Sequence, residues 1–294
     1  MTPILNFDHI TIVLHRPRFA ENIGASARAA WNMGLSHIIV VNPEDTDWER
    51  MTKLSTHVAR GLLEQMETTH SLAEALAPFQ YIIGTTARLG GQRKELIEPS
   101  QAALKIRSLG RKNRVALLFG PENRGLSNEE LRFCHCTVHI PTASASSLNL
   151  AQAVLILCYE ILLAHQAPHP FGDFGLRIEP NSDPSLQAAD HPNISQHPSS
   201  SDFAHSPIRN PLSEIPYPLA TSFELEGMYQ HLSEVLQMMD FLDKQNPELW
   251  MMSLRRFFSR IGLYPQEVRM IRGICRQIKW LVTTHRPPNN KPGG

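Results

Sequence analysis

Three polar segments in the first 150 residues each follow an apolar, strand-like run and lead into a helical pattern. The first is Asn22-Ile-Gly24-Ala-Ser-Ala-Arg28, the second runs over 118–126 and contains Glu122, and the third is Ser147-Leu148-Asn149. Backbone N–H groups at the start of a helix lack partners within that helix and are free to bind a ligand. The loops that follow parallel strands meet at one edge of a sheet. We therefore expect these side chains to form one composite site.

The elements that would carry these loops alternate along the first 165 residues. Strands are predicted over 10–14, 37–41, 81–84, 115–119 and 137–140, and helices over 22–33, 72–77, 101–109, 128–133 and 148–164. A capping box, Ser127-Asn-Glu-Glu130, marks the start of the fourth helix. Such alternation indicates an α/β fold with a parallel sheet that helices cover on both faces.

Nucleotide binding is disfavoured by the glycine pattern of these loops. Gly120-Pro-Glu-Asn-Arg-Gly125-Leu126-Ser127 has the glycine spacing of a phosphate-binding loop, but Leu126 stands where that loop needs a lysine. Without the cation, the loop cannot pair with the terminal phosphates of an NTP. The first loop has Gly24 alone, which does not match the glycine fingerprint of NAD-binding proteins.

Metal binding is also disfavoured. Cys134-His-Cys136 with His139 is a weak zinc pattern, because alternate residues of a strand face one side and need further ligands to complete a tetrahedron. We interpret these cysteines as buried strand residues. The four histidines within 166–216 have no closely spaced ligand set around them. No metal site is predicted.

Length and composition set the general class of the protein. A chain of 294 residues with 42% apolar content can form one large and one small domain. It contains no apolar run of membrane-spanning length and no signal-peptide pattern, and four cysteines make no disulfide framework. We expect a cytoplasmic protein that does not bind a membrane.

The domain pattern changes after residue 165. Residues 166–216 contain nine prolines and eight serines, which predicts a flexible linker between a domain at 1–165 and a smaller one at 217–294. The last region is predicted to form three helices, the first starting at a capping box, Thr221-Ser-Phe-Glu224. The second helix opens with Asn246-Pro247 and stops at Gly262.

Positive charge is concentrated at the end of a chain whose net charge is zero. Residues 250–294 hold nine Lys or Arg and one acidic residue, a balance of +8, so the other 249 residues sum to −8. On the third predicted helix, four cations repeat at three- and four-residue steps opposite an apolar stripe, namely Arg269, Arg272, Arg276 and Lys279. This face is predicted to meet a polyanion.

The three loops, in this order, resemble the motifs of the SpoU (TrmH-type) branch of the SPOUT RNA 2′-O-ribose methyltransferases, over about residues 7–165. Residues 219–281 are similar to the helical C-terminal extension of the TrmJ-type tRNA methyltransferases. The resemblance implies an α/β domain with a C-terminal trefoil knot, followed by a small all-α domain. It also implies a homodimer in which the first motif of one protomer completes the site of its partner.

The same resemblance implies S-adenosylmethionine as cofactor, held among the knot loops largely by backbone groups. Its contacts are expected at Thr85, Thr86, Ala87, Gly120, Ile140, Ser147, Leu148 and Asn149. Catalytic roles fall on Arg28, Asn22, Glu122, Ser147 and Asn149. We expect Arg28 to bind and orient an RNA phosphate, because a guanidinium keeps its proton in proteins. The other four would organise the loops and the ribose hydroxyl.

The function predicted from these patterns is 2′-O-methylation of tRNA, at pyrimidine 32 of the anticodon loop, with the position resting on the C-terminal resemblance alone. Methylation of another tRNA position or of rRNA is the alternative within the class. A noncatalytic RNA-binding protein and a nucleotide-binding regulator are the alternatives outside it. The intact motif residues argue against the first of these, and the missing lysine of the second loop argues against the other.

Overall fold

A computed structural model describes residues 5–55, 57–87, 95–143, 148–167, 218–242 and 247–284. Ser147 and nearly all of the predicted linker lie outside these ranges. Among the described residues, no helix combines the length and the apolar character that crossing a membrane requires.

A seven-stranded sheet forms the centre of the first domain, and every pair of neighbouring strands in it is parallel. The strands are β1 (Ile10–His15), β2 (His37–Val41), β3 (Glu67–Thr69), β4 (Tyr81–Thr85), β5 (Leu96–Ile97), β6 (Val115–Phe119) and β7 (Cys136–Val138), in the order β3-β2-β1-β6-β4-β7-β5. The five predicted strands are confirmed, although β7 stops two residues before Ile140, which lines a cavity instead. The edge strands β3 and β5 were not predicted, because two or three residues give no recognisable apolar run.

Helices cover both faces of this sheet, as expected for a parallel sheet. They are α1 (Ala20–Asn32), α2 (Trp48–Lys53), α3 (His57–Glu64), α4 (Leu72–Leu76), α5 (Pro99–Leu109), α6 (Asn128–Leu131) and α7 (Leu150–Gln166). On β1, Ile12 and Leu14 belong to one buried core and Val13 to another. Two separate cores, one on each face, therefore hold the strands in register.

The position of β7 determines which side of the sheet each of the two neighbouring cysteines faces. Cys134 precedes the strand and packs into one core, whereas Cys136 lies in the strand and packs into the other. The expectation that they share a face was wrong, because the strand alternation begins only at Cys136. Within the described ranges, no group of three potential ligands could hold a metal ion.

Three further helices, α8 (Ser222–Met238), α9 (Pro247–Ile261) and α10 (Pro265–Thr284), form a unit with its own small core. The predicted capping box of Thr221 and Glu224 starts α8. This unit is docked on the sheet domain. The Leu219 N–H donates to Oδ1 of buried Asn113 at 2.7 Å, and the Ser222 N–H donates to the Phe79 carbonyl at 2.8 Å. Residues 79 and 113 precede β4 and β6, so the helical unit sits at the amino edge of the sheet.

Candidate active site

The first loop owes its position to a close approach between two helices. A Cβ atom on Gly24 of α1 would lie 1.9 Å from the carbonyl oxygen of Met51 in α2, so only glycine allows this packing. The helix begins at Ala20 with Phe19 as its N-cap, two residues before the predicted start at Asn22. Asn22 lies instead in the first turn, where its side chain is available for contacts with other loops.

A chain of hydrogen bonds joins the three motifs at the carboxyl edge of the sheet. Asn22 Nδ2 donates to Glu122 Oε1 at 2.7 Å, and Asn149 Nδ2 donates to Asn22 Oδ1 at 2.9 Å. The backbone N–H of Arg18 donates to the second oxygen of Glu122 at 2.9 Å. The carboxylate thus fixes the orientation of the Asn22 amide, which in turn fixes that of Asn149. Residues 100 and 127 positions apart in sequence thus form one hydrogen-bonded cluster.

Asn149 also starts the last helix of the domain. Its Oδ1 accepts from the Ala151 N–H at 2.9 Å and from the Gln152 N–H at 3.4 Å, and Gln152 completes a capping box. The helix therefore begins at Leu150, two residues later than predicted, and Asn149 is its cap. The backbone of Asn149 is nonhelical, as expected for a cap residue.

The main cavity of this edge has a volume of about 310 Å³ and opens among the loops that follow β4, β6 and β7. Six of the residues predicted to contact the cofactor line it: Thr85, Thr86, Ala87, Gly120, Ile140 and Leu148. Asn149 lines an adjoining cleft instead. Sequence reasoning missed Asn123, Arg124 and Thr142 as lining residues, although the first two belong to the second motif.

Glycines give the second motif its tight fold. A Cβ on Gly120 would lie 2.5 Å from backbone atoms of Gly125 and Leu126, and Gly125 itself has a φ of +66°. Both positions therefore need glycine. The loop folds back on itself and turns its backbone toward the cavity.

A partly buried cluster of charged side chains braces this loop. Arg124, which lines the cavity, donates to both oxygens of Glu130 at 2.7 and 3.2 Å, and Glu130 also accepts from the Ser127 N–H at 2.6 Å. Burial alone would raise the pKa of Glu130, but the hydrogen bonds from Arg124 and the Ser127 backbone lower it overall. His15 Nδ1 lies 3.3 Å from the same carboxylate. Burial nevertheless lowers the pKa of His15 below its ordinary value.

An open cleft of about 490 Å³ adjoins the main cavity. The two share Glu122 and Leu148, and the cleft is further lined by Phe19, Glu21, Asn22, Arg50 and Asn149. Two of the hydrogen-bonded motif residues thus face the cleft, and the third, Glu122, lies between it and the cavity. A ligand in the cavity and a second one in the cleft would meet at this cluster.

Arg28 is not in either cavity of its own chain. It is exposed on α1, two turns beyond Asn22, and lines neither space. Trp31 follows it by three residues, so the two share a helix face, and this tryptophan is also exposed. Among the predicted catalytic residues that the structure describes, only Arg28 is separated from the others.

The predicted cationic face of α10 is only partly present. Arg269 and Arg276 are exposed, as expected. Arg272 instead packs its guanidinium against Gly227 of α8, and its Nε is buried. Lys279 pairs with Glu234 of α8 at 3.0 Å. The expectation that these cations point outward does not hold for Arg272, because it packs against α8, whereas the Lys279 side chain is 53% exposed.

Comparison with known protein families gives two matches. A sequence profile of the SpoU rRNA methylase family matches residues 9–159. A profile of the C-terminal domain of the tRNA methyltransferase TrmJ matches residues 223–289. The first covers the sheet with the three motifs, and the second covers the helical unit.

Individual relatives match nearly the whole chain. It is 32% identical over 285 residues to the tRNA (cytidine/uridine-2′-O-)-methyltransferase TrmJ of Sodalis glossinidius, covering 97% of this chain and 95% of that protein. The TrmJ of Salmonella typhimurium is 32% identical over 272 residues, covering 92% and 96%. Among solved structures, TrmJ from Z. mobilis ZM4 has a TM-score of 0.68 at 26% identity, covering 92% of this chain and 98% of that one. A probable methylase family protein from Haemophilus influenzae has a TM-score of 0.52 at 26% identity, covering 96% and 100%.

Proposed function

The chain belongs to the SpoU methylase family and carries a TrmJ C-terminal domain, and on this premise we propose that it is an S-adenosylmethionine-dependent tRNA ribose 2′-O-methyltransferase. The observation that carries the proposal is the hydrogen-bonded chain of Asn22, Glu122 and Asn149. It ties all three family motifs together between a cavity and an open cleft. Such an arrangement suits a reaction between two bound substrates, because it holds both in one orientation.

The main cavity fits S-adenosylmethionine. Its walls come largely from three loops, and the tight fold of the second loop leaves no room for a side chain at Gly120. Arg124, which lines it, is paired with Glu130, so the cavity presents little uncompensated positive charge to a sulfonium ion. When bound, the cofactor supplies a methyl group on positively charged sulfur. We assign its binding to Thr85, Thr86, Ala87, Gly120, Ile140 and Leu148, with Ser147 and Asn149 completing the third motif.

The reaction joins the ribose 2′-oxygen to the methyl carbon as the carbon–sulfur bond breaks, and the hydroxyl proton leaves to solvent or a nearby acceptor. Both oxygens of Glu122 already accept hydrogen bonds from Arg18 and Asn22. We therefore assign Glu122 to positioning the loops, and the same holds for Asn149, which caps α7. Orientation of the hydroxyl is the main contribution that these residues can make.

Arg28 completes the site from a second copy of the chain in our proposal. Its exposure on α1, outside both cavities of its own chain, supports a role in trans. Next to α1, the last helix of the sheet domain, α7, exposes an apolar stripe. It consists of Leu155, Tyr159 and Leu163, spaced four residues apart. A helix that is apolar all round is normally covered. A homodimer that buries α1 and α7 would cover it and bring Arg28 to the partner's ribose and phosphate.

We extend the proposal to the architecture. The family fold supports a trefoil knot formed by the segment from β7 to α7, and α7 packs between α1 and α5. The domains are proposed at 1–165 and 217–294, with a linker between them. Four free, buried cysteines support a reducing compartment, so we place the protein in the cytoplasm.

Binding of tRNA is assigned to both regions. Arg28 would contact the phosphate next to the target, whereas exposed Arg269 and Arg276 would contact the backbone of the tRNA body. Lys279, whose side chain is half exposed, would add to this surface, and Arg272, which packs against α8, would shape it. We propose pyrimidine 32 of the anticodon loop as the target.

The direct test is methyl transfer by the purified protein to unmodified tRNA, with isotopically labelled S-adenosylmethionine. A 2′-O-methyl group makes the adjacent linkage resistant to alkali, so the alkaline ladder should lack one band, at position 32. Labelled tRNA with an unchanged ladder would indicate base methylation and contradict the ribose assignment. Cofactor binding in calorimetry without any transfer to tRNA or rRNA would favour the noncatalytic alternative.

A further inference from the structure

The open cleft beside the cofactor cavity contains an aromatic side chain that neither helix capping nor core packing explains. Phe19 occupies the N-cap of α1 in extended conformation and makes no side-chain cap hydrogen bond. Helix N-caps favour Ser, Thr, Asp and Asn, whose oxygens bind free N–H groups. The Phe19 ring is 46% exposed, so it gains little from burial. An aromatic residue at this position has an apolar surface available for a ligand.

The ring lies beside the place where the reacting nucleotide would enter. The cleft shares Glu122 and Leu148 with the cofactor cavity, and Phe19 lines it together with Asn22 and Asn149. A ribose held at the amide cluster would therefore have its base within the cleft. The guanidinium of Arg18 lies over one face of the ring, 5.5 Å from its centroid, so a base would stack on the other face.

Charge in the cleft favours a base over a phosphate. Of the described lining residues, Glu21 and Glu122 are acidic, and Arg50 is the one cation. Arg50 already donates to both oxygens of Glu21, at 2.7 and 2.8 Å, and also pairs with Asp45. A phosphate would meet a negative surface here, whereas an uncharged base would meet an aromatic ring. Unpaired RNA bases commonly stack on aromatic side chains in this way.

We propose that this cleft receives the base of the nucleotide whose ribose is methylated, and that Phe19 stacks on that base. The proposal rests on the methyltransferase function proposed above. It makes Phe19 a substrate-binding residue that selects an unstacked loop nucleotide, because a base within a helix could not reach the ring. Loss of one stacking contact weakens RNA binding by about 10- to 100-fold.

A double-mutant cycle tests the stacking contact. The substrate is an anticodon stem-loop with either the natural pyrimidine or an abasic ribose at the target position, and kcat/KM is measured for wild type and Phe19→Ala. We expect Phe19→Ala to lower kcat/KM by about 10- to 100-fold on the natural substrate. The abasic substrate should lower the wild-type value similarly and the variant value little further. Independent, multiplying losses would overturn the proposal.

Two further variants separate stacking from other roles. Phe19→Trp should retain most activity, while Phe19→Leu, which keeps apolar bulk without an aromatic face, should behave like Phe19→Ala. Phe223→Ala is the matched control, because this phenylalanine is 73% exposed in the first turn of α8 at the opposite edge. Its effect should not be coupled to the missing base.

Cofactor affinity and sedimentation of each variant complete the design, and both should remain at wild-type values. A loss of cofactor binding or of the dimer in Phe19→Ala would assign the ring to folding or to the protomer contact, and so overturn the proposal. If wild-type protein methylates the stem-loop while Phe19→Ala is equally active, only the role of Phe19 fails. If wild-type protein methylates no RNA, the proposed function itself fails.

Discussion

The two edges of the parallel sheet differ in the interactions that they use. At the carboxyl edge, Asn22, Glu122 and Asn149 are held by hydrogen bonds in fixed orientations, and the neighbouring cations are paired with acids. At the amino edge, docked helices expose Arg269 and Arg276 to solvent. Transfer of a methyl group depends on alignment, whereas binding of a polyanion depends on charge and tolerates imprecise geometry. In our proposal the chain separates these two tasks, so substitutions at the two edges should fail in different ways.

The largest effect is expected for Arg28→Ala. Methyl transfer should fall by more than about 100-fold, because the RNA would lose its oriented phosphate, while cofactor affinity should stay within a few fold. Arg60→Ala, at another exposed arginine, is the control and should keep wild-type activity. Calorimetry with S-adenosylmethionine and a transfer assay measure the two quantities. Loss of cofactor binding with intact RNA binding would reverse the assigned role.

Mixing variants tests whether Arg28 acts across a dimer. One site of a mixed dimer of Arg28→Ala and Asn149→Ala subunits would contain both intact residues. Free exchange should therefore restore about a quarter of wild-type activity, from two inactive proteins. No recovery, despite exchange seen by sedimentation of tagged subunits, would place Arg28 in the site of its own chain.

Glu122→Gln should have the next largest effect. Glutamine has one acceptor oxygen, so its NH₂ group would face either the Arg18 N–H or the Asn22 amide. We expect kcat/KM to fall by roughly 10- to 100-fold and the free energy of unfolding by about 1–3 kcal/mol, the cost of an unsatisfied donor. Glu129→Gln, an exposed neighbour, should change neither. A variant with wild-type kinetics would show that the motif cluster is dispensable.

Substitutions in the helical unit should change the salt dependence of tRNA binding rather than the affinity for the cofactor. Replacing Arg269 and Arg276 with glutamate should weaken tRNA binding and reduce the slope of log affinity against log salt by up to about 2, since each arginine releases a counterion at a phosphate. Cofactor affinity should not change. Fluorescence anisotropy with labelled tRNA at several salt concentrations measures the slope. Equal slopes for variant and wild type would show that this face is an ordinary solvated surface that does not bind tRNA.

The smallest effect is expected in the pH dependence of stability. Burial lowers the pKa of His15 below its ordinary value of 6.5, so the unfolded chain binds a proton first as pH falls below 6.5. The folded state therefore loses stability in that range, by at most about 1.4 kcal/mol per pH unit. His15→Gln should reduce this loss between pH 6.5 and 5.5 in thermal unfolding. Parallel curves for the two proteins would mean that His15 titrates normally.

The sequence predicted the central strands and the order of the motifs because their apolar runs are long and their loops follow a family pattern. It also predicted the capping boxes at Ser127 and Thr221, which depend on residues three apart. The docking of Leu219 on Asn113 was not predictable, since it joins residues 106 positions apart through one backbone N–H. The same limit explains Arg272, whose guanidinium packs against Gly227 of another helix. Contacts between distant elements leave no local pattern.

The central claim is that this chain methylates a tRNA ribose at the carboxyl edge of its sheet. Mass-spectrometric mapping of ribose methylation in tRNA from cells with and without the gene tests it most directly. We expect that 2′-O-methylpyrimidine at position 32 disappears without the gene, returns with the wild-type gene, and does not return with the Glu122→Gln or Arg28→Ala gene. Unchanged ribose methylation throughout tRNA in cells that lack the gene would contradict it.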